Sequence, residues 1–81
     1  MPETAQLVLC LSGRDKGHYL AVVKTDDRGV WLADGKRRPL EHPKCKNPRH
    51  IRSTPTVLDQ EAMTTNRALR RAIRQAEERG V

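Results

Sequence analysis

The residues of this chain best suited to chemistry are cations held close together. Residues 36–52, KRRPLEHPKCKNPRHIR, carry seven lysines and arginines (Lys36, Arg37, Arg38, Lys44, Lys46, Arg49, Arg52) against one carboxylate, Glu41. Upstream, GRDKG (13–17) sets Arg14 and Lys16 around Asp15 between two glycines. A guanidinium presents a fork of donors that matches phosphate and can stack on a base, and an ammonium acts as a compact point charge. Such side chains hold anions; they do not make or break covalent bonds.

The residue types needed for catalysis are present but poorly arranged. Ser12 and Ser53 have no evident base, and no pair of carboxylates suggests hydrolysis. The spacing His42-x2-Cys45-x4-His50 fits no standard zinc finger, and there is no CxxC. The glycine-bearing loop lacks the GxxxxGK[ST] pattern of a P-loop. With 81 residues, no Phe, and Tyr19 and Trp31 as the only aromatics, a deep aromatic-lined substrate pocket is not expected. The expectation is a non-enzyme with no catalytic residue, no metal, no cofactor and no small-molecule substrate. With no Phe the core has need of its aromatics, and Trp31 is expected there, whereas for Tyr19, next to the loop, a core place and stacking on unpaired bases both stand open.

The formal charge of +6 sits almost wholly in residues 36–52, because the flanking segments 1–35 and 53–81 are nearly neutral. A localised excess is the electrostatic footprint of a polyanion site, whereas a solvated basic loop is the plainer alternative. Five phosphate contacts to a single strand would give log K against log salt a slope of about −3.5. The longest apolar run, Leu7–Leu11, is too short to span a bilayer, and MPETAQ does not read as a secretory signal. A cytoplasmic location without membrane contact is expected. Cys10 and Cys45 imply no disulfide framework.

These cations must be positioned by a small β scaffold. QLVLCLS (6–12) reads as a strand buried on both faces, followed by HYLAVVKT (18–25), VWLAD (30–34), KRRPL (36–40) as an edge strand, and RHIRS (49–53). Gly13 and Gly17 permit a tight reversal, with Asp15 accepting backbone N–H groups across it, and Asp34-Gly35 signals a two-residue hairpin. The segment 64–79, TTNRALRRAIRQAEER, reads as a helix capped by Thr64 or Thr65 and closed by Gly80. Its Leu69, Ile73 and Ala76 form a narrow apolar stripe suited to covering strand 7–11, and Arg67, Arg70, Arg71 and Arg74 form another face. The expected organisation is a barrel over 1–53, a linker or short helical turn over 54–63, and a packed helix over 64–81.

GRDKG (13–17), VV (22–23), LADGKRRPL (32–40) and PKCKNPRHI (43–51) resemble the KOW-motif RNA-binding proteins. More narrowly, they resemble the small bacterial relatives of eukaryotic and archaeal large-subunit ribosomal proteins with SH3-like barrels. TNRALRRAI (65–73) is similar to the tails of these proteins. The resemblance covers roughly residues 5–52 and implies a mainly β, SH3-like barrel that binds RNA and associates with ribosomes or rRNA. Cys45 departs from it, standing where a basic or polar residue is expected. The candidate RNA contacts are Arg14, Lys16, Lys36, Arg38, Lys44, Lys46, Asn47, Arg49 and Arg52, and the loop-forming residues are Gly13, Asp15, Gly17, Asp34 and Gly35. The alternative is an SH3-like protein-interaction module with an acidic partner, using the helix stripe or arginine face; regulatory DNA binding lacks a helix-turn-helix or zinc pattern.

Overall fold

The computed structural model describes residues 2–81. The described residues form five antiparallel strands, β1 (Gln6–Cys10), β2 (Tyr19–Asp26), β3 (Gly29–Ala33), β4 (Lys44–Lys46) and β5 (Ile51–Val57), the first three largely apolar and the last two mostly polar. They form one sheet in the order β4-β3-β2-β1-β5, with β4 and β5 at its hydrogen-bonded edges. A single helix, α1 (Asn66–Glu78), closes the chain. The fold is therefore mainly β with one C-terminal helix, the class that the sequence pattern indicates.

The sheet is buried on both faces, which explains why β1 is apolar at nearly every position. On one face Val8 and Cys10 join Leu20, Val22, Val30 and Leu32, with Ile51 packed against them. On the other, Leu7, Ala21 and Ala33 are covered by Leu69, Ile73 and Ala76 of α1. The expected stripe is thus the docking face of the helix. Thr65 caps α1 by accepting from the Ala68 N–H at 3.0 Å, and Gly80 follows it at φ +85°.

Three sequence expectations are corrected. KRRPL (36–40) is a loop, and Asp34-Gly35 does not turn a two-residue hairpin. The Asp34 carboxylate accepts from the backbone N–H of Lys36 (2.9 Å) and of Arg38 (2.8 Å), and Asp34 N and Gly35 N both donate to the Arg38 carbonyl. The segment closes on itself and spends the groups a strand would offer its neighbour, while Pro39 has no N–H to offer. The fourth strand lies later, at 44–46, between the segments expected to form the fourth and fifth strands. Finally, residues 54–57 of the expected linker continue β5; the short helical turn expected as the alternative over 54–63 is present as a 3-10 turn at Gln60–Met63. Pairing shifts between Gln6↔Val57 and Val8↔Ser53, so Pro55 sits where the ladder is interrupted. There the Thr54 hydroxyl donates to the Leu7 carbonyl and Gln6 Nε2 to the Thr54 carbonyl, both at 2.8 Å, in place of ladder bonds.

Leu69 is fully buried between sheet and helix, whereas Leu11 is 41% exposed. Leu69→Ala is expected to lower unfolding free energy by about 2–5 kcal/mol, and Leu11→Ala by about 0.5 kcal/mol or less, as read from urea denaturation midpoints.

Candidate functional site

The site is built around one carboxylate. Gly13–Asp15 forms a single 3-10 turn after β1, closed by Lys16 N donating to the Gly13 carbonyl and anchored by Gly17 N donating to the Cys10 carbonyl. This turn tucks Asp15 inward until it is only 1% exposed. Asp15 does not serve as a cap for backbone N–H groups, as its place in the turn suggested. It receives side-chain cations: Arg38 Nη2 at 3.1 Å and Nε at 3.2 Å, with Arg37 Nη2 and Lys46 Nζ each at 3.9 Å. Among the described residues, every ion pair within 4.0 Å ends on Asp15.

Three segments distant in sequence meet at that carboxylate. The closed loop 34–38 delivers Arg37 and Arg38, and Arg37 Nη2 also donates to the Arg14 carbonyl at 2.8 Å. Strand β4 delivers Lys46, whose ammonium donates to the Ser12 carbonyl at 2.9 Å. Gly13, at φ +79°, is where that ammonium passes: a Cβ there would stand 3.0 Å from Nζ. Alternation along β4 puts Lys44 on the same face as Lys46. One cleft of about 360 Å³ results, lined by Ser12, Arg14, Asp15, Arg38, Lys44, Lys46 and, from the next turn, His50.

The predicted contacts divide by what the fold does with them. Arg14, Arg38, Lys44 and Lys46 converge on the cleft. Of these, Arg38 (side chain 27% exposed) and Lys46 (9%) are engaged by Asp15, whereas Arg14 and Lys44 are exposed. Lys16 follows Asp15 on the same loop and Arg49 precedes His50, both exposed. Asn47 is a cap, its side chain accepting from the Arg49 N–H at 2.9 Å. Arg52, exposed opposite Leu9 on β5, and Lys36, on the outer part of the 34–38 loop, do not line the cleft. Gly17 and Gly35 adopt positive φ as loop residues. Sequence reasoning missed His50 as a lining residue and Arg37 as the strap between loops; only charge density, not pairing, was there to signal them.

Elsewhere the chain offers little for chemistry. Among the described residues, no three His, Cys, Asp or Glu side chains gather as a metal site would require. Both cysteines are free, and burial pushes the Cys10 thiol up, keeping it protonated. A larger groove of about 910 Å³ runs between β5 and α1, lined by small residues and by charges of both signs, Arg71 and Arg79 among them, and shares no residue with the cationic cleft. No described helix is long and apolar enough to cross a membrane. Tyr19 packs on the helix-side core. Trp31, half-buried, donates from Nε1 to Asp26 at 2.9 Å and carries Lys24 Nζ 5.2 Å from its ring centroid.

Fold and site together define a small mainly β domain with a cationic cleft organised on a buried carboxylate. No protein-family model matches the chain, and no curated protein matches it significantly.

Two outcomes follow. Asp15→Asn keeps the shape of the carboxylate but removes its charge from three cations, and is expected to cost about 3 kcal/mol in denaturant unfolding. A double-mutant cycle with Arg38→Met should show coupling of about 1 kcal/mol or more. Separately, the Trp31 hydrogen bond holds the Asp26 carboxyl below its ordinary 3.8. The bond's contribution to stability is therefore complete above that ordinary value and disappears as pH falls through the lowered folded one. Fluorescence of Trp31, the only tryptophan, should titrate with a midpoint below the ordinary carboxylate value, and Asp26→Asn should abolish that transition.

Proposed function

We propose that this protein is a non-catalytic RNA-binding module that contacts phosphates through the cleft above Asp15 and acts on rRNA or ribosomal particles. One observation carries the reading: Arg14, Arg38, Lys44, Lys46 and His50 surround a single cleft whose only carboxylate lies buried beneath them. Asp15 neutralises about one of the charges it gathers, so the surface left to solvent remains cationic. The resemblance of GRDKG, LADGKRRPL and PKCKNPRHI to KOW-type, SH3-like domains supports RNA as the polyanion, and the SH3-like form of the sheet belongs to the same proposal.

The roles divide accordingly. Arg38 and Lys46 hold the cleft open and supply fixed positive potential. Arg14 and Lys44 reach phosphate directly, flanked by Lys16 and Arg49. Phosphate contacts position a strand without reading its bases, so sequence preference is low.

The test is anisotropy of labelled single-stranded RNA across a salt series. About five contacts give a log–log slope near −3.5 for the natural protein. Arg14→Gln with Lys44→Gln removes two of them and makes the slope shallower by about 1.4, with folding unchanged by circular dichroism. A flat salt response, or an unaltered slope in the double variant, contradicts the proposal. Binding of an acidic protein that persists at high salt and depends on Leu69 or Ile73 would favour the interaction-module reading.

A further inference from the structure

Apart from Arg79 at its C-cap, helix α1 carries its charges in an order that disfavours a helix. Arg67, Arg70 and Arg71 occupy the first two turns, the first turn has no acidic residue, and Glu77 and Glu78 stand at the C-terminal end, where no basic residue lies in the last turn. The helix dipole favours the opposite arrangement. Spacing adds to the mismatch. Arg67/Arg70 and Arg71/Arg74 are i,i+3 pairs, and Arg67/Arg71 and Arg70/Arg74 are i,i+4 pairs, so all four like-charged neighbours repel. All four arginines are exposed, and none makes an ion pair within 4.0 Å among the described residues, Glu78 on the same face included. They project opposite the buried Leu69–Ile73–Ala76 stripe, so packing does not account for them.

This face is joined to the cleft. Gly35 lies so close to α1 that a Cβ there would collide with the Asn66 carbonyl and stand 3.1 Å from Arg70 N. Asn66 Oδ1 accepts from Leu40 N at 2.7 Å, pinning the other end of the same loop to the helix. Lys36 and Arg37, both exposed, therefore lie between Arg70 on one side and Arg14, to which Arg37 is bonded, on the other. Two carboxylates at that junction are held by hydrogen bonds: Asp34 accepts from the Lys36 and Arg38 backbone N–H groups, and Glu41 accepts from Asn66 Nδ2 at 2.7 Å.

We propose that the cleft and the arginine face of α1 form one continuous phosphate track, so that the ligand is an RNA strand long enough to run from the cleft over loop 34–38 onto the helix. Charges that repel one another in the free protein are relieved by the phosphates of that strand. The proposal rests on the RNA-binding reading and fixes the extent of its ligand.

The experiment compares RNAs of about 5 and about 16 nucleotides, lengths that bracket one small domain's site. The natural protein is set beside a Arg67→Gln, Arg70→Gln, Arg74→Gln variant, glutamine being an equally good helix former. The longer RNA should lose at least tenfold in affinity with the variant, its salt slope becoming shallower by about 2 for three contacts. The short RNA should bind both proteins within twofold. Without RNA, the variant should melt no lower than the natural protein, because repulsion has been removed. Unchanged binding of the long RNA, or equal losses for both lengths, overturns the track while leaving the cleft reading intact. Failure of the natural protein to bind either RNA overturns that reading, and the track with it.

Discussion

The arrangement of the cationic cleft depends on burying Asp15 under Arg38, with Arg37 and Lys46 at its margin. A carboxylate removed from water at a loop tip is costly unless cations meet it. Here they come from two other segments, 34–38 and 44–46. The requirement fixes where those segments run. A buried ion pair adds little net stability over a well-packed apolar substitute; what it contributes is a single arrangement for three segments distant in sequence, the 13–15 turn, the 34–38 loop and β4. Charge left over after this pairing faces solvent.

The scaffold makes that arrangement possible with few residues. Because the sheet is covered by α1 on one face and filled by its own side chains on the other, an 81-residue chain has a two-layer core without a single phenylalanine. The loops can then be specialised. Gly13 admits the Lys46 ammonium to the tip of the first loop, and Gly35 lets the basic loop lie directly on the helix backbone. Each close approach brings cations from separate segments into one neighbourhood; at Gly35 a side chain would collide with the helix backbone, and at Gly13 the positive φ disfavours one.

Much of the fold was legible because it follows from alternation and capping. β1, β2, β3 and α1 lie within a residue or two of where apolar spacing, Thr65 and Gly80 put them, and the docking role of Leu69 and Ile73 could be read from a stripe that needed a partner. The misreadings share a physical origin. KRRPL looked like an edge strand because local propensity does not record that the Asp34 carboxylate would claim two backbone N–H groups. β4 was passed over because Lys44-Cys45-Lys46 is short and polar, and its strand form comes from pairing with β3. The end of β5 was hidden by Pro55, whose missing donor is replaced by Thr54 and Gln6. At the site, charge density located the region, but it could not separate cations that hold Asp15 from cations that face outward. That distinction is made only in three dimensions.

The most direct measurement is an amide NMR titration of the folded, isotope-labelled protein with single-stranded RNA at low salt. If phosphate lands above the buried carboxylate, the largest shift changes fall on Gly13–Gly17, Lys44–Lys46 and His50, with the β2 core unmoved. Changes confined to Val57, Leu58 and the alanines of α1 that line the groove against β5 would show that the cationic cleft is not where RNA binds.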